Sequence, residues 1–284
     1  MHEKDEHILE AIGKARVVIR NGKVTEVGRP LLRKCPLARR FARPVVDMTP
    51  DTIKANLEER IRGYGMCTGK RSLLSDADFV VFGASELISC GIRRGILDSA
   101  VIVCEGAGTV VVSDPHLVQG IGGRMSGLVS TTPIQEVMQT IEAYGGRVVS
   151  PSAGIDQYAG TDFAYRHGFT KIATTVADAG TAEMIRKDFP QTLLFGVHLT
   201  GISRDEAERI VNACDLVSAC ASLEIRSIAG RSALLQAGGS VPIFALTARG
   251  KQLVLEKIQE TNSPFFVKAG SLPLAIGEQP DPLI

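Results

Sequence analysis

The stretch Lys171-Ile-Ala-Thr-Thr-Val176, the segment from Thr181 to Asp188, and Thr192-Leu-Leu-Phe-Gly-Val-His-Leu199 read in turn as strand, helix and strand. Short apolar and β-branched runs predict buried strands, and the amphipathic segment between them predicts a crossover helix. The alternation continues on both sides. Strand-like runs occur at 147–149, 216–219, 241–246 and 264–267, with helical stretches at 203–213 and 250–260. Ser203 with Glu206 makes a capping box, a local helix-start signal. Alternating strands and helices predict an α/β fold in which residues 147–284 form a C-terminal, Rossmann-like parallel sheet with flanking helices.

Residues 1–146 read differently, as an α+β N-terminal portion. Val17-Val-Ile-Arg20 and Lys23-Val-Thr-Glu26 flank Asn21-Gly22, the pair suited to a type I′ turn, so a β-hairpin with Ile19 opposite Val24 is expected. Thr49-Pro50-Asp51 opens a helix to about residue 62, and a Gly-rich loop after it holds Cys67. Phe79-Val-Val-Phe82 predicts a short strand, and Ala100 to Cys104 with Thr109 to Val112 a second hairpin. Residues 114–133, with Gly120, Gly122, Gly123 and Gly127, read as a long loop able to act as a lid or ligand cradle.

Composition bounds the function. Apolar residues make up 44% and charged residues 22% of 284, ordinary for a globular protein, while aromatics are scarce. A net charge of +1 argues against a general grip on nucleic acid or anionic membrane. The basic run 29–43, which contains Arg29, Arg33, Lys34, Arg39, Arg40 and Arg43 and no acid, reads as a solvated loop or as a dock for an anionic cofactor or acidic partner. The charged N-terminus has no secretory pattern and no window is apolar enough to span a membrane, so a cytoplasmic location is expected. Six cysteines are then expected as thiols or metal ligands.

In an open parallel sheet, ligands bind beyond the carboxyl ends of the strands. The residues leaving the predicted strands include Thr174, Thr175, His198, Thr200, Cys220, Ser222, Thr247 and Arg249. Thr175, His198, Thr200 and Ser222 are therefore candidate cofactor-binding residues, with Gly120, Gly122 and Gly123 as the cradle above them. Ser and Thr at such places also serve simply as helix caps. His198 is the one candidate for catalytic proton transfer.

Dinucleotide fingerprints fail, because Val111 and Met125 stand where the third Gly or Ala belongs, and there is no phosphate loop. A nucleophile elbow at Gly83-Ala-Ser85 lacks its closing Gly, with Leu87 in that place. No CxxC exists, yet Cys35, Cys67, Cys104 and Cys220 each lie on a loop or at a strand end, where four thiolates are able to hold zinc or an iron–sulfur cluster. Lys34 and Arg33 beside Cys35 favour its thiolate.

The pieces Lys14 to Val24, Cys35-Pro-Leu37, Gly65-Met-Cys-Thr68, Ala100 to Val110, Asp114 to Pro133, His198 to Ser203 and Ala219-Cys-Ala-Ser222 carry a family likeness. Through them the chain resembles the methanogenesis marker protein 8 family, a mainly archaeal domain of unknown function. The segment from Glu86 to Val103 is also similar to a stretch in the flavin-containing beta subunits of coenzyme F420-reducing hydrogenases, at the level of fold. The likeness implies a context of methanogenic metabolism; with the residues at the C-terminal strand edge, the expected function is an accessory protein that binds a cofactor or anionic metabolite there, in the service of enzyme maturation. A thiolate–metal or iron–sulfur redox enzyme and a non-catalytic assembly factor docking an acidic partner, such as a methanogenic enzyme, are the alternatives.

Overall fold

The computed structural model describes residues 5–124 and 127–284. Strands β1 (Glu6–Glu10), β2 (Arg16–Arg20) and β3 (Lys23–Val27) precede helices α1 (Pro50–Tyr64) and α2 (Ala84–Arg93). The paired strands β4 (Ser99–Cys104) and β5 (Gly108–Val112) lead into α3 (Pro115–Gly122), β6 (Gly127–Thr131), α4 (Gln135–Ala143) and β7 (Arg147–Val148). The chain then runs through α5 (Gln157–Arg166), β8 (Ile172–Val176), α6 (Ala179–Asp188), β9 (Leu193–Gly196) and α7 (Arg204–Ala213). It ends with β10 (Leu216–Ser218), α8 (Leu223–Ser232), β11 (Leu235–Ala237), β12 (Ile243–Ala245) and α9 (Ala248–Glu260). Among the described residues no helix is long and apolar enough to cross a membrane.

The architecture is α/β with two sheets. The larger has the order β11-β12-β10-β9-β8-β4-β5-β7. Its centre, β4, β8, β9 and β10, is parallel, whereas β5, β7, β11 and β12 pair antiparallel. Side chains alternate between two covered faces. Leu193 and Phe195 of β9 pack with Ile102 and Leu253 on the side of α2, α3 and α9. Leu194 between them packs with Val176, Val217 and Phe244 on the side of α6, α7 and α8. Burial on both faces is why these strands read as near-continuous apolar runs. Residue 147 opens β7 of this one sheet, with β4 and β5 before it in the chain and β8 to β12 after it.

The smaller sheet, in the order β3-β2-β1-β6, is antiparallel. The hairpin forms as expected: Ile19 faces Val24, and Asn21 and Gly22 both take positive φ. Other expectations are corrected. Phe79-Val-Val-Phe82 is not a strand, because the N–H groups of Phe79 and Val80 donate to the Glu86 carboxylate instead of to a ladder. Residues 264–267 form no strand and leave Phe266 89% exposed. The expected loop over 114–133 is largely ordered as α3 and β6, with Met125 and Ser126 outside the described residues. Strand β12 runs against β10, so Thr247 and Arg249 leave it at the opposite edge of the sheet, beside Asp215 at the start of β10.

Candidate functional site

The chain reverses its progression across the larger sheet at β4: it adds β5 and β7 on one side, then returns through α5 to place β8, β9 and β10 on the other. In open α/β sheets the crevice at such a switch, at the carboxyl ends of the strands, is where ligands bind. A cavity of about 300 Å³ lies there, walled by Ile102 and Val103 of β4, Thr175 and Ala177 at the end of β8, and His198 beyond β9. Its opposite wall is the small sheet, through Glu10 and residues 127–129 of β6. A second chamber of about 330 Å³ shares Glu10, Lys14, Ser85, Gly122, Gly127 and His198 with the first and extends outward to Cys35 and Cys220. The two form one cleft, largely apolar with a few convergent polar groups, as small-molecule sites usually are.

Three residues of this cleft, Lys14, His198 and Cys220, hold left-handed φ values of +59°, +58° and +47° without being glycine. Such backbone is costly for residues with a Cβ and gathers at functional sites. Lys14 follows Gly13 in the turn after β1, and its Nζ donates to the Thr200 carbonyl while lying 3.6 Å from the Glu10 carboxylate. Burial pushes the Glu10 carboxyl up, with Lys14 opposing. The enclosing walls desolvate the His198 imidazole and hold it below the ordinary histidine value, and the Lys14 charge adds to that effect. The ring is thus neutral near pH 7, able to take a proton or to share a hydrogen bond. Gly127 makes room for it: a Cβ there would stand 3.2 Å from His198 Nδ1.

The other sequence candidates separate. Thr175 lines the inner chamber. Thr200 is buried at the cleft floor, where Oγ1 accepts from the Ala221 N–H at 3.1 Å. Ser222 is fully buried, and its Oγ accepts from the Ile225 N–H at 3.2 Å, so it caps α8. Gly122 lines both chambers and Gly123 the outer one. Gly120 faces away: a Cβ there would lie 1.9 Å from the Leu73 carbonyl oxygen, a close approach only glycine permits.

The four loop cysteines do not meet. Cys35 and Cys220 line the outer chamber. Cys67 and Cys104 are buried beside the Arg71–Glu105 ion pair, where desolvation first and the Glu105 charge second push both thiols well up. Among the described residues no three His, Cys, Asp or Glu side chains are grouped to hold a metal ion. The expected thiolate at Cys35 is also corrected. Arg33 pairs with Asp281 and Lys34 reaches toward Asp47, and burial raises the thiol.

Sequence reasoning missed Glu10, Lys14 and Arg226. Arg226 is buried and donates to the Cys220 and Ser240 carbonyls and to the Gln279 side chain. The pair Glu10 and Lys14, at (i, i+4) around a glycine, was the available signal, hidden in a segment that looks like a charged terminus.

Fold and cleft together define an α/β protein with a ligand-sized crevice at the carboxyl edge of its parallel strands. The chain belongs to a family of uncharacterised proteins conserved in archaea, DUF2099, which matches residues 7–259. It is similar to an uncharacterised protein of Methanocaldococcus jannaschii, 40% identical over 284 residues that cover 99% of this chain and 100% of that relative. No solved structure matches the chain.

Proposed function

We propose that the protein binds a small organic cofactor or metabolite bearing an acidic group, in the cleft between the two sheets, as an accessory to methanogenesis-type metabolism. The likeness to the methanogenesis marker protein 8 family supplies the metabolic context. The observation that carries the binding reading is the convergence of Lys14, His198 and Cys220, each in left-handed backbone, from three separate parts of the chain onto one cavity. On the Rossmann-like reading of the parallel core, the ligand body lies over the ends of β4 and β8, against Ile102, Val103 and Thr175. Its acid meets the Lys14 ammonium, and neutral His198 accepts from a ligand O–H or N–H.

Of the four cysteines on which the iron–sulfur or zinc alternative draws, Cys35 and Cys220 line this cleft, and Cys67 and Cys104 lie buried beside Arg71 and Glu105. The assembly-factor alternative draws on the basic run, in which Arg33 and Arg39 already pair with Asp281 and Glu278.

The test is native mass spectrometry with metal analysis on anaerobically purified protein, wild type against Lys14→Asn/His198→Asn. Asn tolerates left-handed backbone, so the fold is kept while the charge and imidazole go. A co-purified small molecule lost from the double variant supports the reading. A ligand retained by the variant, or stoichiometric iron or zinc with no organic ligand, overturns it.

A further inference from the structure

A third chamber, of about 270 Å³, shares a wall with the cleft through Phe41, Arg60, Phe79 and Gly123. Four arginines line it: Arg40 and Arg43 from the basic run, Arg60 from α1 and Arg124 after α3. One carboxylate faces them, Glu59, and it is engaged by Arg62 at 2.7 Å. Among the described residues no carboxylate pairs with Arg40, Arg43 or Arg124. Three guanidinium groups, of Arg60, Arg71 and Arg124, crowd the Tyr64 ring at 5.9, 5.0 and 5.3 Å from its centre. Burial, and then the Arg71 charge, hold the Arg124 pKa below the ordinary arginine value.

A second, independent feature points to a ligand. The Asn56 side chain lines the same chamber and is 1% exposed. Its Nδ2 donates to the Arg43 carbonyl at 2.8 Å, whereas its Oδ1 accepts from no described residue. A buried carbonyl oxygen without a donor is costly, and a donor brought by a ligand relieves it. The stacked Phe41 and Phe79 rings, 5.3 Å apart, supply an apolar side wall.

We infer that this chamber binds a phosphate-class oxyanion carried on a small organic molecule whose hydroxyl or N–H donates to Asn56 Oδ1. The charge balance selects the class: three arginines without a carboxylate partner among the described residues, Arg40, Arg43 and Arg124, beside one already paired carboxylate suit a multiply charged group better than a single carboxylate. The enclosed floor of Asn56 and Arg60 suits a small molecule rather than a flat protein surface. This inference stands apart from the cleft reading, because it uses neither Lys14 nor His198.

The experiment is isothermal titration of the full chain with pyrophosphate at low ionic strength, with sulfate as a second probe. One saturable site is expected. Arg124→Gln and Arg43→Gln should each weaken it roughly tenfold or more, and Arg124→Lys should recover only part, because the planar fork is lost. His198→Asn should leave the titration unchanged. Arg43 is exposed, so its replacement keeps the fold and the result readable. Absence of saturable binding, or binding that survives both arginine-to-glutamine replacements, overturns the assignment. Loss confined to His198→Asn overturns it as well and moves the anion into the cleft.

Discussion

Replacing Arg71 with Met should destabilise the protein more than any surface change. The Arg71 and Glu105 side chains are both wholly buried, with Nε donating to Oε1 at 2.5 Å. Arg71 also donates to the Gly120 carbonyl at 3.0 Å and to the Ser72 carbonyl, so it ties the segment after α1 to α3 and to the end of β4. Without it, the Glu105 carboxylate keeps, among the described residues, only the Cys104 thiol, 3.8 Å away. Breaking one side of a buried pair costs about 3–5 kcal/mol. At roughly 2–4 °C per kcal/mol for a chain of this size, Arg71→Met should unfold about 6–20 °C below wild type. Thermal and urea unfolding followed by circular dichroism measure this. The double variant Arg71→Met/Glu105→Leu should recover much of the loss, since apolar replacement of both partners removes the stranded charge. A single variant within about 1 kcal/mol of wild type, or a double variant worse than both singles, would refute the reasoning.

His198 sits below its ordinary value of 6.5 when folded, so the unfolded chain binds more protons as pH drops. Stability is therefore retained above that pH and lost below it, and His198→Asn should flatten the decline in Tm between about pH 7 and 5; an unchanged slope counts against the assignment. Iodoacetamide should label the half-buried Cys35 and Cys220 first. Cys67 and Cys104, pushed well up, and Cys214, pushed up to about 12, should react only on unfolding. Peptide mapping that finds Cys67 or Cys104 modified as fast as Cys220 would contradict that burial. Ser222→Ala should cost about 1 kcal/mol as a lost helix cap and leave ligand retention intact; ligand loss without destabilisation would return Ser222 to the site.

Local patterns were legible where one physical cause dominated. Asn21-Gly22 set the hairpin turn and placed Ile19 against Val24, and Ser203 with Glu206 opened α7. Strands β8 and β9 were legible because burial on both faces leaves no polar interruption. Strand β1 was not: Glu6-His-Ile-Leu-Glu10 reads as charged chain, because Glu6 pairs with Arg20 and Glu10 faces the cleft beside Lys14, while Ile8 and Leu9 find partners on β2 and β6. Helix α3 was hidden by glycines that serve close packing, Gly120 against the Leu73 carbonyl, rather than loop freedom. Within the site, Thr175 and His198 were reachable from strand ends. Thr247 and Arg249 misled because strand direction is a tertiary property: nothing in residues 241–246 states that β12 runs against its neighbour.

The seam between β1 and β6 joins segments far apart in the chain, with the Glu6 N–H bonded to Thr132 across 126 residues. One wall of the crevice therefore cannot exist until the polypeptide has been made past residue 131, and β1 must wait beside β2 with an open edge. Closing so long a loop adds little to the equilibrium cost, but it delays folding. A chain ending before β6 lacks that wall of the crevice. The crevice as a whole is complete only once the chain has been made past Cys220, because Thr175, His198 and Cys220 supply its other walls.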